Sequence, residues 1–289
     1  MRQGLAAWWR SPRAAGALRR LVGRLRQARY DVVIDAQGLL RSALLARLSG
    51  APLRIGFANA REGAPLCYTH AVRLPRAPQV AVVRMRALLG PLGVPTTGPA
   101  DACVPVSPAA ASAISRRIGT APYTVLVPGA RWDTKRWSEE GFADIARRLA
   151  ADGRRVFLAG SPDERALCER VALLAAGPQD AVVSLAGRTS LAEMVALLAG
   201  AELVVGNDSG PLHVAVALGR PTVSVYGPTD PNFVGPYGQL DRVVRFPVHC
   251  HPCRLKTCDH HSCMKGVTVE LVWEKVAAQP AHSAASDAS

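Results

Sequence analysis

No run of about 18 or more apolar residues occurs in the 289-residue chain, so a membrane-spanning helix is not expected. The N-terminus also lacks the uninterrupted apolar stretch of a secretory signal, which leaves the cytoplasm as the expected compartment. No solenoid repeat is visible. Acidic residues are missing from residues 1–30, which hold eight arginines. That composition fits a transit peptide, yet LRRLVGRLRQARY leads directly into the core-like DVVID and reads as a basic surface helix packed on the fold. Lysine is scarce beside arginine, so part of the net charge of +13 reflects an arginine-favouring genome. The rest suits anionic partners: nucleic acid, acidic lipid or phosphorylated substrates. The basic residues are dispersed and no aromatic-basic RNP pattern appears, so nucleic acid is not the expected partner.

What is present is a foldable chain. Hydrophobic residues make up 49%, enough for a full core, and the length allows one large domain or two ordinary ones. Short apolar runs at Val32–Asp35, Tyr123–Val127, Arg155–Ala159, Ala181–Ser184, Leu203–Val205 and Thr222–Tyr226 read as strands. Amphipathic stretches at Glu139–Ala151, Glu164–Ala175 and Leu191–Leu198 lie between them. The alternation predicts βαβ units and a parallel sheet, and nearly continuous Val/Leu/Ile strands suit a sheet covered on both faces. The Pro/Gly-rich stretch at residues 91–108 marks a linker or domain edge. The expected organisation is an α/β domain over residues 1–118, a second over 119–266, a C-terminal helix over 267–280 and a disordered tail over 281–289. The first domain is short of strands, with only the weaker candidate Tyr68–Arg73 beside Val32–Asp35. A doubly wound domain usually has four or five, so the expectation is that a segment preceding residue 1 is missing.

In open α/β sheets ligands bind beyond the carboxyl ends of the strands, and three corners there carry chemistry. In LVPGARWDTKRWSEEGF, Gly129 and Ala130 permit close backbone approach. Arg131, Lys135 and Arg136 supply charge suited to phosphate, Ser138 reads as a helix N-cap, and Trp132 and Trp137 could simply pack inward. In VVGNDSGPLHVA, Asp208 or Ser209 caps a helix whose first turn holds Pro211. The N–H groups of Ser209 and Gly210 would face outward as an anion site, with His213 able to donate to the same anion. An ordinary capped helix with a buried His needs only one of these residues, so their density favours a ligand. The third corner, YGPTDPNFVGPYG, offers Thr229 and Asp230 as a supporting wall.

Cys67, Cys103 and Cys168 are scattered and read as small buried hydrophobes. Four others cluster in CHPCRLKTCDHHSCM. Cys250, Cys253, Cys258 and Cys263 can hold a structural zinc or form two disulfides. Four thiolates would close the site to catalysis.

The motifs YDVVIDAQGLLRSALLARLSG, RIGFANAREGAP, PGARWDTKRW and GNDSGPLHVAVALGRPTVSVYGPTDP resemble the family 9 glycosyltransferases, the ADP-heptose:lipopolysaccharide heptosyltransferases, over about residues 20–278. The first motif resembles heptosyltransferase I, whereas the cysteine segment is closer to the second subfamily. The resemblance implies a GT-B architecture of two Rossmann-like domains facing across a cleft, one for the lipid-linked acceptor and one for the nucleotide-sugar. It implies an inverting, metal-independent transfer from ADP-heptose to the Kdo or inner-core acceptor of lipopolysaccharide, on the cytoplasmic face of the inner membrane. The basic N-terminal helix would suit that anionic surface. By the same resemblance Ser209 and Gly210 hold the diphosphate, Lys135 neutralises it with Arg131 nearby, Asp208 holds heptose hydroxyls and His213 buttresses the loop. Arg188 and Thr189 fall on the adenosine side, and Gln37 and Arg61 on the acceptor side. The family's opening LGDxxHTLP, whose Asp resembles the general base, has no match before Tyr30, and Asp35 is a replacement whose strand-end position favours a structural role. Two other readings stay open: a nucleotide-sugar-binding protein without turnover, and a sugar-nucleotide epimerase of the same architecture.

Overall fold

The computed structural model describes residues 12–75, 77, 79–98, 104–175 and 181–279. They fall into two compact units, within Met1–Pro99 and Ala100–Ser289.

The first unit comprises α1 (Pro12–Gln27), β1 (Val32–Asp35), α2 (Leu40–Leu48), β2 (Leu53–Phe57), β3 (His70–Val72) and α3 (Ala81–Ala87). Its strands form a parallel sheet in the order β1-β2-β3, with Val32 opposite Leu53 and Ile55 opposite His70. α1 is a surface helix as expected. It packs against α2, half-burying Leu18, Leu21, Val22 and Leu25, while Arg13, Arg19, Arg20, Arg24 and Arg26 are exposed. The Arg26 Nε donates to the Leu48 carbonyl at 3.0 Å. β2 was not anticipated, because Arg54 and Gly56 interrupt its apolar run. Gly56 is required there: a Cβ would overlap the Tyr68 ring lying over the strand. Of the weak candidate Tyr68–Arg73, only His70–Val72 is strand.

The second unit is built from α4 (Pro108–Ile118), β4 (Tyr123–Val127), α5 (Glu139–Ala151), β5 (Arg155–Leu158), α6 (Arg165–Ala175), β6 (Val182–Ser184), α7 (Leu191–Ala199), β7 (Leu203–Asn207), α8 (Gly210–Ala217), β8 (Thr222–Val225), α9 (Pro231–Val234), β9 (Val243–Val244), α10 (Ser262–Lys265) and α11 (Val269–Ala277). Its parallel sheet has the order β6-β5-β4-β7-β8-β9. Strand alternation splits the core between two faces. Leu126 packs with Phe142, Ile145 and Leu149 of α5 and with Val272 and Val276 of α11. Val125 and Val127 pack on the other face with Ile114 and Ile118 of α4 and Leu197 and Leu198 of α7.

The expected division at 118/119 is corrected by α4. Its stripe of Ala110, Ile114 and Ile118 is buried in the second unit's core, so the helix belongs with residues that follow it. The C-terminal helix spans Val269–Ala277, begun by Thr268, whose hydroxyl accepts from the Leu271 N–H. The tail at 281–289, residues 1–11 and Cys103 lie outside the described residues. Among the described residues no helix is long and apolar enough to cross a membrane.

Strand order fixes where a ligand can sit. From β4 the chain winds outward through β5 and β6, then returns to β7 on the other side of β4. Connections leaving the carboxyl ends of β4 and β7 therefore diverge, and the crevice between them is the binding position of such sheets.

Candidate functional site

A cavity of about 750 Å³ opens at that switch point, within the range of small-molecule sites. Its lining joins Gly129, Arg131, Trp132 and Lys135 after β4, Ser161 and Glu164 after β5, Thr189 and Met194 around α7, and Asp208, Ser209, Gly210 and His213 after β7.

The loop after β4 is held rigidly. The Arg136 Nε donates to the Ala130 carbonyl at 3.0 Å, and the Trp137 Nε1 donates to the Val267 carbonyl at 2.8 Å. Ser138 caps α5 as expected, accepting from the Gly141 N–H at 3.1 Å. Of the two tryptophans only Trp137 is core, at 4% exposed. Trp132 lines the cavity, with the Lys135 ammonium 4.7 Å from its ring centroid, a cation–π geometry. Asn207, fully buried at the end of β7, ties the two corners together. Its Nδ2 donates to the Pro128 carbonyl at 2.7 Å and its Oδ1 accepts from the Trp137 N–H at 3.0 Å.

Asp208 follows and is 6% exposed. Its Oδ2 accepts from the Lys135 Nζ at 2.5 Å and the Thr229 hydroxyl at 2.7 Å, while the His213 Nε2 lies 3.5 Å from Oδ1. Burial pushes this carboxyl up. Bonds from His213, Lys135 and Thr229, with the Lys135 charge, outweigh burial and hold it below the ordinary aspartate range. Asp208 is thus a carboxylate anchored on one oxygen, with the other facing His213.

The expected helix cap is corrected here. Ser209 occupies the N-cap position of α8 with extended backbone, but its side chain makes no capping bond, and the Asp208 oxygens are taken as described. The Ser209 Oγ is buried without a hydrogen-bond partner. A helix leaves its first N–H groups without intrahelical acceptors; among the described residues those of Ser209 and Gly210 have no other backbone acceptor. A bare helix N-terminus carrying an orphaned hydroxyl and the cations Lys135 and Arg131 thus share one cavity lining, an arrangement suited to an anion.

The other candidates separate. Thr189 lines the cavity, whereas Arg188 does not: its guanidinium turns to Glu169 at 3.8 Å and its carbonyl accepts from Arg117 at 2.5 Å. Thr229 joins the site through Asp208, while Asp230 caps α9 by accepting from the Asn232 N–H at 2.9 Å. Gln37 and Arg61 share one exposed corner of the first unit, where the Arg61 N–H donates to the Gly38 carbonyl at 3.0 Å. Asp35 is structural. At 5% exposed, it accepts from the Gln37 N–H (2.9 Å), Gly38 N–H (3.1 Å), Ser42 hydroxyl (2.9 Å) and Tyr68 hydroxyl (2.7 Å). That set leaves neither oxygen free to take a proton from a substrate.

Cys250, Cys253, Cys258 and Cys263 are free thiols, and among the described residues no three His, Cys, Asp or Glu side chains are grouped as a metal requires. Cys263 is packed into the core beside Met264. Its thiol is pushed up by burial first, then by Cys253, Cys250 and Cys258, so each of the three lies within electrostatic reach of Cys263. Among the lining residues named, Ser161, Glu164 and Met194 were not anticipated, and neither was the lining role of Trp132. Glu164 accepts from the Ser161 N–H and hydroxyl at 2.8 and 2.9 Å. The turn signal Ser-Pro-Asp-Glu after β5 is the feature that marks it.

A cavity at the sheet's switch point, lined by the bare start of α8, the cations Lys135 and Arg131, the carboxylates of Asp208 and Glu164 and the apolar Met194, defines an enzyme-like site suited to a small anionic ligand. The chain belongs to glycosyltransferase family 9, the heptosyltransferases, whose family model matches residues 18–264. It is 37% identical over 261 residues to lipopolysaccharide heptosyltransferase 1 of Pseudomonas aeruginosa, covering 85% of this chain and 68% of that protein. It is 36% identical over 229 residues to lipopolysaccharide heptosyltransferase 1 of Escherichia coli K12, covering 77% and 69%. Among solved structures, the E. coli heptosyltransferase WaaC with ADP matches with a TM-score of 0.72 and 29% identity, covering 95% of this chain and 82% of that one. The E. coli ADP-heptose lipopolysaccharide heptosyltransferase II matches at 0.70 and 28%, covering 92% and 81%.

Proposed function

We propose that this chain transfers heptose from ADP-heptose to the Kdo or inner-core acceptor of lipopolysaccharide, with inversion and without a catalytic metal. The observation that carries the reading is the bare start of α8, with its orphaned Ser209 hydroxyl, in the same cavity lining as Lys135. Inverting transfer breaks the bond between the anomeric carbon and the diphosphate as the acceptor hydroxyl attacks from the opposite face. Charge builds on the departing ADP, and groups fixed in advance to receive it lower the barrier most. The N–H groups of Ser209 and Gly210, the Ser209 hydroxyl, Lys135 and Arg131 fill that role. Asp208, held as a carboxylate, accepts from heptose hydroxyls. Glu164 accepts from ribose hydroxyls, and Met194 and Thr189 border the base.

The proton of the attacking hydroxyl goes to a group other than Asp35. The peripheral membrane location rests on α1, which presents five arginines and no acid to an anionic lipid surface. The test of function is turnover. The chain is incubated with ADP-heptose and a Kdo-bearing lipid acceptor, and ADP and product are measured with and without acceptor and with and without a metal chelator. Acceptor-dependent, chelator-resistant ADP release is the expected result. Sugar isomerisation without acceptor would make the chain an epimerase, and binding without turnover a nucleotide-sugar-binding protein.

A further inference from the structure

The segment between β9 and α10 has no regular secondary structure, yet it makes directed bonds to two separate loops of the donor site. The His251 Nε2 lies 3.1 Å from the Thr229 carbonyl, to which it must donate, and the Arg254 N–H donates to the Pro228 carbonyl at 2.9 Å. On the other side, the Thr134 hydroxyl donates to the Leu255 carbonyl at 2.8 Å. Thr134 is 4% exposed, stands next to Lys135 and is absent from the cavity lining. The Lys256 ammonium lies 5.6 Å from the ring centroid of Trp132, the same indole that Lys135 faces.

The two loops so bridged are the ones that supply Thr229 and Lys135. Both groups donate to a single atom, the Asp208 Oδ2. One oxygen can hold an ammonium and a hydroxyl together only if their loops keep a fixed separation, and no sheet ladder sets that separation because both lie beyond strand ends. We propose that residues 251–256 form a strap that positions Thr229 and Lys135 on Asp208, with His251 and Thr134 as its positioning residues. The strap acts on the orientation of the Asp208 carboxylate through Lys135 and Thr229 and makes no bond to the start of α8. Its bearing on catalysis rests on the donor reading given above, but its effect on Asp208 does not.

The test uses the full chain with Thr134→Val, which keeps shape and removes the bond to Leu255, His251→Leu, which removes the donor to Thr229, and His251→Gln, which keeps one. Melting temperature confirms folding of each. In the unliganded protein, the Asp208 carboxyl is followed by carbon NMR of labelled aspartate through an acid titration. Thr134→Val and His251→Leu are expected to shift its midpoint upward, with His251→Gln restoring it. With ADP-heptose as donor, the two disruptive variants are expected to raise KM about three- to tenfold, the scale of one lost hydrogen bond, with a smaller change in kcat. In an Asp208→Asn background the same variants should change KM by less than they do in the unaltered chain, because effects that share a partner do not add. An Asp208 midpoint unmoved by either variant overturns the strap, as does full additivity with Asp208→Asn. A shifted midpoint with unchanged donor KM upholds the strap and removes Asp208 from donor binding.

Discussion

Replacing Lys135 by alanine takes an ammonium from 2.5 Å of the Asp208 Oδ2 and from the cavity wall at once. The side chains are 17% and 5% exposed, so the pair is largely sheltered from water. Breaking a buried pair by removing one partner costs about 3–5 kcal/mol. The loss here should fall near the lower end, about 3 kcal/mol, because Thr229 and His213 still face the stranded carboxylate. Folding stability therefore drops, and its pH dependence changes with a definite sign. Asp208 is depressed in the folded protein, so it contributes stability above the unfolded aspartate value of about 3.9. That contribution is lost as pH falls through the lower folded value. Without Lys135 the folded value rises, and the acid-side loss of stability below about pH 4 becomes shallower. In turnover, losing one preorganised cation at the leaving diphosphate is expected to lower kcat/KM by about 10²-fold. Urea unfolding at several pH values and ADP-release kinetics measure the two effects separately. Unchanged acid dependence together with near wild-type kinetics would refute the pairing and the role of the cation in one experiment.

Three further outcomes follow from the same geometry. Ser209→Ala removes a buried hydroxyl that has no protein partner, so stability should hold or rise slightly while ADP affinity, read by calorimetry, falls several-fold. Charge reversal of Arg19, Arg20 and Arg24 on α1 should abolish salt-sensitive sedimentation with anionic vesicles, and no binding by the unaltered chain would remove the membrane reading. The structural zinc expected at Cys250, Cys253, Cys258 and Cys263 is tested by elemental analysis of protein purified under reducing conditions: about one zinc per chain upholds it and its absence removes it.

The second unit was largely legible because strands buried on both faces leave continuous apolar runs. β4, β5, β7 and β8 each differ from their expected ends by no more than two residues. The first unit was harder to read. β2 carries Arg54, whose guanidinium bonds to the Ala51 and Cys67 carbonyls, and Gly56, whose purpose appears only when Tyr68 lies over it. The Pro/Gly stretch correctly signalled a division, but α4 joins the far side through a stripe whose partner helix, α7, is remote in sequence. At the site, strand-end corners announced themselves through Gly, Pro, Asp and Ser. The bonds that make the site, Asn207 to Pro128 and Thr229 to Asp208, join residues brought together by strand order, which local pattern does not encode.

The return of the chain to β4 has a consequence for how the site comes into being. Two strands and three helices separate β4 from β7, so the walls of the cavity meet only when that long intervening loop closes. Pairing across such a separation is a late, entropically costly event in folding. The cavity is therefore a property of the finished topology, and no single βα unit contains it. A nucleotide that binds there recognises only chains that have completed the closure. It should slow unfolding and raise the apparent stability by mass action while leaving the refolding rate unchanged.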